Sequence, residues 1–121
     1  MKSKNWLESF RHALRGICST ARRERNFRIH IFFAILVIAA CIFFRVEAIH
    51  FIMIGFSIFF VMAMELVNTA VEALVDMYCR GKAHPMAKLA KDAAAGAVLL
   101  ASIQAVIIGI YVAITIIRRY V

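Results

Sequence analysis

Four polar residues, Glu65, Asn68, Glu72 and Asp76, stand three, four and four positions apart in the run ELVNTAVEALVD, within a segment that is otherwise almost wholly apolar. On a helix they fall within about 80° of one another. Ionisable groups on a greasy helix are expensive, and they mark a cavity, a partner or an ion. Carboxylates on one helix face have two evident uses: to hold a hard cation through oxygen, or to leave one free as a proton acceptor. Seven residues separate Glu65 from Glu72, about 10 Å along a helix axis, too far for both to grip one ion easily. The spacing suggests a division of labour, with Glu72 near a metal at the cytoplasmic edge and Glu65 deeper, near a membrane-embedded substrate. The plainer alternative is a buttress in which the carboxylates satisfy Lys91 or Arg28.

Other polar residues join this inventory. Glu24 lies among Arg22, Arg23, Arg25 and Arg28, where on its own it reads as a solvated salt-bridge partner. Lys91 and Asp92 precede a long apolar run; a lysine can neutralise a phosphate, and an aspartate can receive a hydroxyl or assist a metal shell. Gly81 alone makes no phosphate-cradling glycine loop. Cys18, Cys41 and Cys79 are odd in number and form no C-x-x-C pair, so neither a zinc site nor a disulfide framework is indicated. His30 and His50 read as interfacial or capping residues, and Ser102 and Gln104 as interhelical hydrogen-bonders.

The elements that must position these groups follow from composition. Of 121 residues, 64% are hydrophobic and 18% charged, with a mean hydropathy of +0.82. So small a globule exposes much of its surface, and this excess over the apolar share of soluble domains excludes a soluble monomer. One proline and five glycines exclude a collagen-like fibre and disorder. Eight of the fifteen Lys and Arg (Lys2, Lys4, Arg11, Arg15, Arg22, Arg23, Arg25, Arg28) lie within residues 1–28. With so much apolar bulk and no groove-reading motif, that cluster points to anionic lipid and not to nucleic acid. Residues 1–28 hold no apolar run long enough for a secretory signal, so the start of the chain is expected to remain on the mature protein.

Residues 4–22 gather Trp6, Leu7, Phe10, Leu14 and Ile17 on one side and Glu8, Arg11, Arg15 and Arg22 on the other, which predicts an amphipathic helix in the membrane interface. Packing of the same face on the chain's own spans is the alternative. A first span is expected over 29–46, flanked by Arg28 and Arg45, which can snorkel to the two interfaces. A short break at Arg45, Glu47 and His50 leads to a second span with a cytoplasmic extension over 48–77. A loop over 78–88 follows, and a third span over 93–117, whose small first residues allow close helix approach. Basic residues before the first span and in the 78–91 stretch place both on the cytoplasmic side. The fold expected is an all-α integral membrane protein, one membrane-embedded domain over 1–121, with three transmembrane helices and an N-terminal interfacial helix.

The run ELVNTAVEALVD resembles the signature of the small prokaryotic diacylglycerol kinase family at every fixed position: Glu65, Asn68, Thr69, Glu72, Val75 and Asp76. The segment KLAKDAAAGAV from Lys88 is similar to that family's second block, and ERNFR from Glu24 to its first. The blocks occur in order and, with the three-span plan, cover nearly the whole chain. The family has a branch acting on diacylglycerol and another acting on the polyisoprenol undecaprenol. Asn26 to His30 and the stretch HPMAKLAKD from His84 look more like the undecaprenol branch, since Ile29 stands where the diacylglycerol branch typically has glutamine.

The resemblance implies a lipid kinase, using ATP and Mg2+ to phosphorylate a membrane lipid alcohol, undecaprenol ahead of diacylglycerol. Glu65 would be the general base for the lipid hydroxyl, and Glu24 and Glu72 would coordinate the ATP-bound magnesium. Lys91 would meet the phosphates, Asn68, Asp76 and Asp92 would hold the nucleotide or orient other groups, and His84 would occupy a nucleotide-contacting loop position. It also implies a homotrimer in the bacterial plasma membrane, with sites completed by a neighbour's N-terminal segment, so Glu24 would serve another chain. The rival classes are a proton-coupled transporter, whose inverted repeats do not appear, and a membrane anchor, which gives no reason for the acidic stripe.

Overall fold

The computed structural model describes residues 5–121; Lys2 and Lys4 of the basic cluster, and the expected helix start at residue 4, lie outside the described residues. Four helices follow one another: α1 Trp6–Arg23, α2 Arg25–Phe43, α3 Ala48–Cys79 and α4 Pro85–Tyr120. Asn5 caps α1, its side-chain oxygen accepting from the Glu8 N–H at 2.9 Å, and Glu8 in the first turn with Arg22 and Arg23 in the last complement the helix dipole.

The joint between α1 and α2 is one residue, Glu24, in extended conformation, whose N–H bonds back to the Thr20 carbonyl. Phe27, the largest fully buried side chain, fills the angle of this joint at 0% exposure. Arg28 does not simply snorkel. Its guanidinium donates to the carbonyls of Ala21 and Arg22 at 3.0 and 2.9 Å, satisfying two of the acceptors that the end of α1 leaves open. The apolar stripe of α1 stays uncovered, with Trp6 94% exposed and Leu7, Phe10, Leu14 and Ile17 also exposed. That face is not packed on the chain's own spans, so it is free for the bilayer interface.

The first apolar helix starts earlier and stops earlier than the expected 29–46 span. Phe44, Arg45 and Val46 form the turn instead, with Arg45 in left-handed conformation at φ 51°. His50, expected in the break, already lies in the first turn of α3 and meets Tyr111 edge to face at 5.5 Å. At the other turn, Arg80 and Gly81 adopt positive φ, as helix C-termini favour. The expected loop over 78–88 shortens to residues 80–84, because Pro85 occupies the start of α4 and the His84 ring nitrogen Nδ1 accepts from the Met86 N–H at 3.1 Å. Proline at the first helical position and a capping side chain before it start a helix.

Helix lengths then decide the shape. At 19, 32 and 36 residues, α2, α3 and α4 measure about 28, 48 and 54 Å. Their far ends are flush, since Arg119 donates to the carbonyls of Phe44 and Arg45 at 2.6 and 2.8 Å. The surplus therefore appears at the other end, where α3 and α4 overhang the start of α2 by about 20 Å. α3 and α4 pack along each other as a long hairpin, while α2 touches α3 much more lightly. The small core joins Cys41, Ile54 and Val112. Most large apolar side chains, among them Phe32, Phe56, Phe59 and Leu100, point outward, and α2, α3 and α4 are all long and apolar enough to cross a membrane. Such an outward apolar surface suits lipid as solvent and no other. Gln104, expected to bond across helices, keeps its buried Nε2 without a partner.

Candidate active site

The stripe on α3 is a burial gradient. Glu65 is buried at 6% exposure, Asn68 and Glu72 are half-buried, and Asp76 is exposed. The cause is geometric: Glu65 lies level with the beginning of α2, and the later residues lie on the overhang, where α2 no longer covers α3.

Each member has a distinct partner. The Glu65 Oε1 lies 3.1 Å from His30 Nε2 on α2, while the Thr69 hydroxyl donates to the Glu65 backbone carbonyl at 3.0 Å. The Asn68 amide donates to Glu72 Oε1 at 3.2 Å, and its own buried Oδ1 has no partner among the described residues. Asp76 accepts from Lys91 Nζ at 2.6 Å, tying α3 to α4. Lys88 and Asp92 pair one helical turn apart on α4. Lys88 and Lys91 precede the apolar run that begins at Ala93. The hydrogen bond donated to Asp92 and the charge of that carboxylate raise the pKa of the Lys88 ammonium above its ordinary value, and the hydrogen bond donated to Asp76 does the same for Lys91. Both lysines thus remain cationic beside exchangeable, solvent-exposed acids.

These last groups surround an open cavity of about 880 Å³ beneath the α3–α4 turn, bounded by Asp76, Lys82, His84, Lys88, Lys91 and Asp92. Of the residues singled out from the sequence, the structure therefore brings together Asp76, His84, Lys91 and Asp92, and separately Asn68 with Glu72. His84 sits in the expected loop, where it also works as the cap of α4. Glu24 stands half-buried at the α1–α2 joint, and among the described residues no hydrogen bond or ion pair joins it to Glu72.

No three acidic, histidine or cysteine side chains converge on one point among the described residues. A magnesium ion that arrives on a nucleotide needs only one or two carboxylates besides the phosphates. Glu72, with the unpartnered Asn68 Oδ1 beside it, offers the oxygen-only donors a hard cation takes, so the residues present fit such an ion.

His30 is the residue that sequence reasoning missed, placing it among interfacial or capping groups. A signal was available, for it is the sole polar side chain from Ile29 to Phe44, and a polar group at that depth requires a partner.

Residues 11–113 match the sequence model described as prokaryotic diacylglycerol kinase. The chain belongs to that family. Among its relatives, a diacylglycerol kinase of Synechocystis is 47% identical over 105 residues, covering 87% of this chain and 60% of that protein. An undecaprenol kinase of Bacillus subtilis is 42% identical over 107 residues, covering 88% of this chain and 86% of the relative. A diacylglycerol kinase of Haemophilus influenzae is 33% identical over 95 residues, covering 78% and 80%. The match thus spans only about three fifths of the Synechocystis protein's length. Membership agrees with the three membrane-length helices in making this a multi-pass membrane protein, and the relatives' names divide between two lipid alcohols.

Proposed function

We propose that this chain is an ATP-dependent lipid kinase that phosphorylates a membrane lipid alcohol, with undecaprenol preferred to diacylglycerol. The observation that carries the proposal is the gradient along α3: one stripe runs from a carboxylate buried among apolar helices to an ion pair open to water. Such a stripe suits joining a hydroxyl held in lipid to a phosphate donor that never leaves water.

Phosphoryl transfer asks chiefly for positioning and charge neutralisation. Glu65 takes the proton of the lipid hydroxyl as its oxygen bonds to the γ-phosphorus; the bond from that phosphorus to the bridging oxygen breaks, and its electron pair departs with ADP. Lys91 exchanges Asp76 for nucleotide phosphate, an exchange favoured because the pair is exposed and weakly held. Asn68, Asp76, His84 and Asp92 line the path of the nucleotide, and Glu24 and Glu72 would hold magnesium. The ion, when bound, neutralises charge on the phosphates. Because Glu24 stands at the α1–α2 joint and is not joined to Glu72 among the described residues, a homotrimer in which one copy's Glu24 completes a neighbour's site accommodates both residues. The basic α1 supports reading this end as the one at the cytoplasmic face of the bacterial plasma membrane.

The undecaprenol preference rests on Ile29, exposed beside His30 at the start of α2. Diacylglycerol brings two ester carbonyls that need donors in place of water, and a hydrocarbon side chain supplies none. The test is transfer of radiolabelled phosphate from ATP by detergent-solubilised protein, comparing the two lipids. Magnesium-dependent transfer, faster to undecaprenol, is expected. No transfer to either lipid would overturn the kinase proposal, and a tenfold or greater preference for diacylglycerol would overturn the branch alone.

A further inference from the structure

Resting on that kinase proposal, we propose that His30 is a positioning residue that holds the Glu65 carboxylate in the orientation needed to receive the lipid hydroxyl proton. The geometry points to it in three ways. First, His30 Nε2 lies 3.1 Å from Glu65 Oε1, and it is the partner of that carboxylate among the described residues. An ionised carboxylate only accepts, so Nε2 is the ring atom that faces it as the donor side of the contact. One carboxylate oxygen is thereby occupied, and the other is left for the substrate.

Second, burial confines Glu65 without supplying a second polar contact to its carboxylate among the described residues, and a glutamate side chain has enough rotatable bonds to leave a productive geometry readily. A polar contact from the opposite helix restricts that freedom, and orientation errors near 1 Å at a reacting group lower rates by about 100-fold. Third, His30 stands where polar and apolar surroundings meet. It closes one end of an apolar groove of about 400 Å³ between α2, α3 and α4, whose walls include Phe33, Val61, Met62 and Val106. With 33% of its side chain exposed against 8% for Glu65, the imidazole is reachable from the groove while the carboxylate is not.

Three substitutions test this in the full chain. His30→Leu removes the donor and keeps the bulk, His30→Gln restores an N–H at the reach of Nε2, and His30→Asn carries the same amide too short to arrive. Turnover, KM for ATP and thermal unfolding are measured for each beside the unsubstituted protein, with magnesium and undecaprenol. Leu and Asn should lower kcat by about 100-fold with KM for ATP within twofold, and Gln should recover all but about fivefold. A Leu variant within threefold of the parent, a Gln variant no better than Asn, or a parallel rise in KM for ATP would overturn the positioning role. The Gln and Asn comparison decides even if Leu does not fold, since the two amides differ only in reach. An unsubstituted protein that transfers no phosphate would overturn the kinase proposal instead, and the positioning role with it.

Discussion

The two ends of the helix hairpin use the same kinds of polar group for opposite purposes. At the far end, Arg119 spans α4 and the α2–α3 turn, its guanidinium donating to two backbone carbonyls above the buried Cys41, Ile54 and Val112. Those partners are backbone acceptors that cannot exchange, so the arginine is structural. At the overhanging end, Lys91 meets a side-chain carboxylate that is itself exposed, and Asn68 leaves a buried oxygen unpaired. A buried acceptor without a partner forfeits about 1–3 kcal/mol. The two ends thus differ in how firmly their polar groups are held, and this contrast is what the proposed site at the overhang rests on.

Substitutions along the α3 stripe should therefore affect chemistry, and those at the far end should affect stability. The largest effect is expected for Glu65→Asp, which withdraws the carboxylate by one methylene from a proton that must be taken within about 3 Å. Turnover should fall by about 10²-fold or more, and steady-state kinetics that find it within threefold of the parent would place the base elsewhere. Glu72→Gln should come next, losing about 10²-fold in activity while the protein still inserts and folds. A wild-type rate at ordinary magnesium would remove Glu72 from the metal. If sites are shared between copies, mixing inactive Glu24→Gln and Glu65→Asp proteins should regain part of the activity, and an unmixed level would confine each site to one chain.

The membrane-length helices and the stripe were legible in the sequence because lipid leaves no ambiguity about apolar runs, and because helical periodicity alone aligns Glu65, Asn68, Glu72 and Asp76. Legibility failed where tertiary contact decides. Arg28 looked like an interfacial anchor, yet the one-residue joint at Glu24 folds α1 back so that the same guanidinium reaches its terminal carbonyls. His30 could not be paired with Glu65, since the relative register of α2 and α3 depends on the conformation of the short turn over 44–47 at the opposite end. The early start of α4 is readable in principle from Pro85, a residue that suits the first turn of a helix as well as a loop.

Smaller effects sharpen the contrast further. Ile29→Gln should shift the ratio of undecaprenol to diacylglycerol phosphorylation by about tenfold toward diacylglycerol, equivalent to about 1.4 kcal/mol of discrimination. An unchanged ratio in competition assays would show that position 29 does not meet the head group. Arg119→Ala should leave activity within about twofold yet lower stability by about 1–3 kcal/mol, because two carbonyls lose a charged donor. Thermal unfolding in detergent reads this, and a loss of activity without a loss of stability would contradict the separation of the two ends.

The division of labour along α3 is tested most directly by calorimetric titration of Glu65→Gln with magnesium and a non-hydrolysable ATP analogue. The nucleotide should bind with a Kd within about twofold of the unsubstituted protein although turnover is gone, since Glu65 lies below the overhang that carries Asp76 and Lys91. A Kd weakened tenfold or more would put Glu65 in the nucleotide site and contradict its assignment to the lipid hydroxyl.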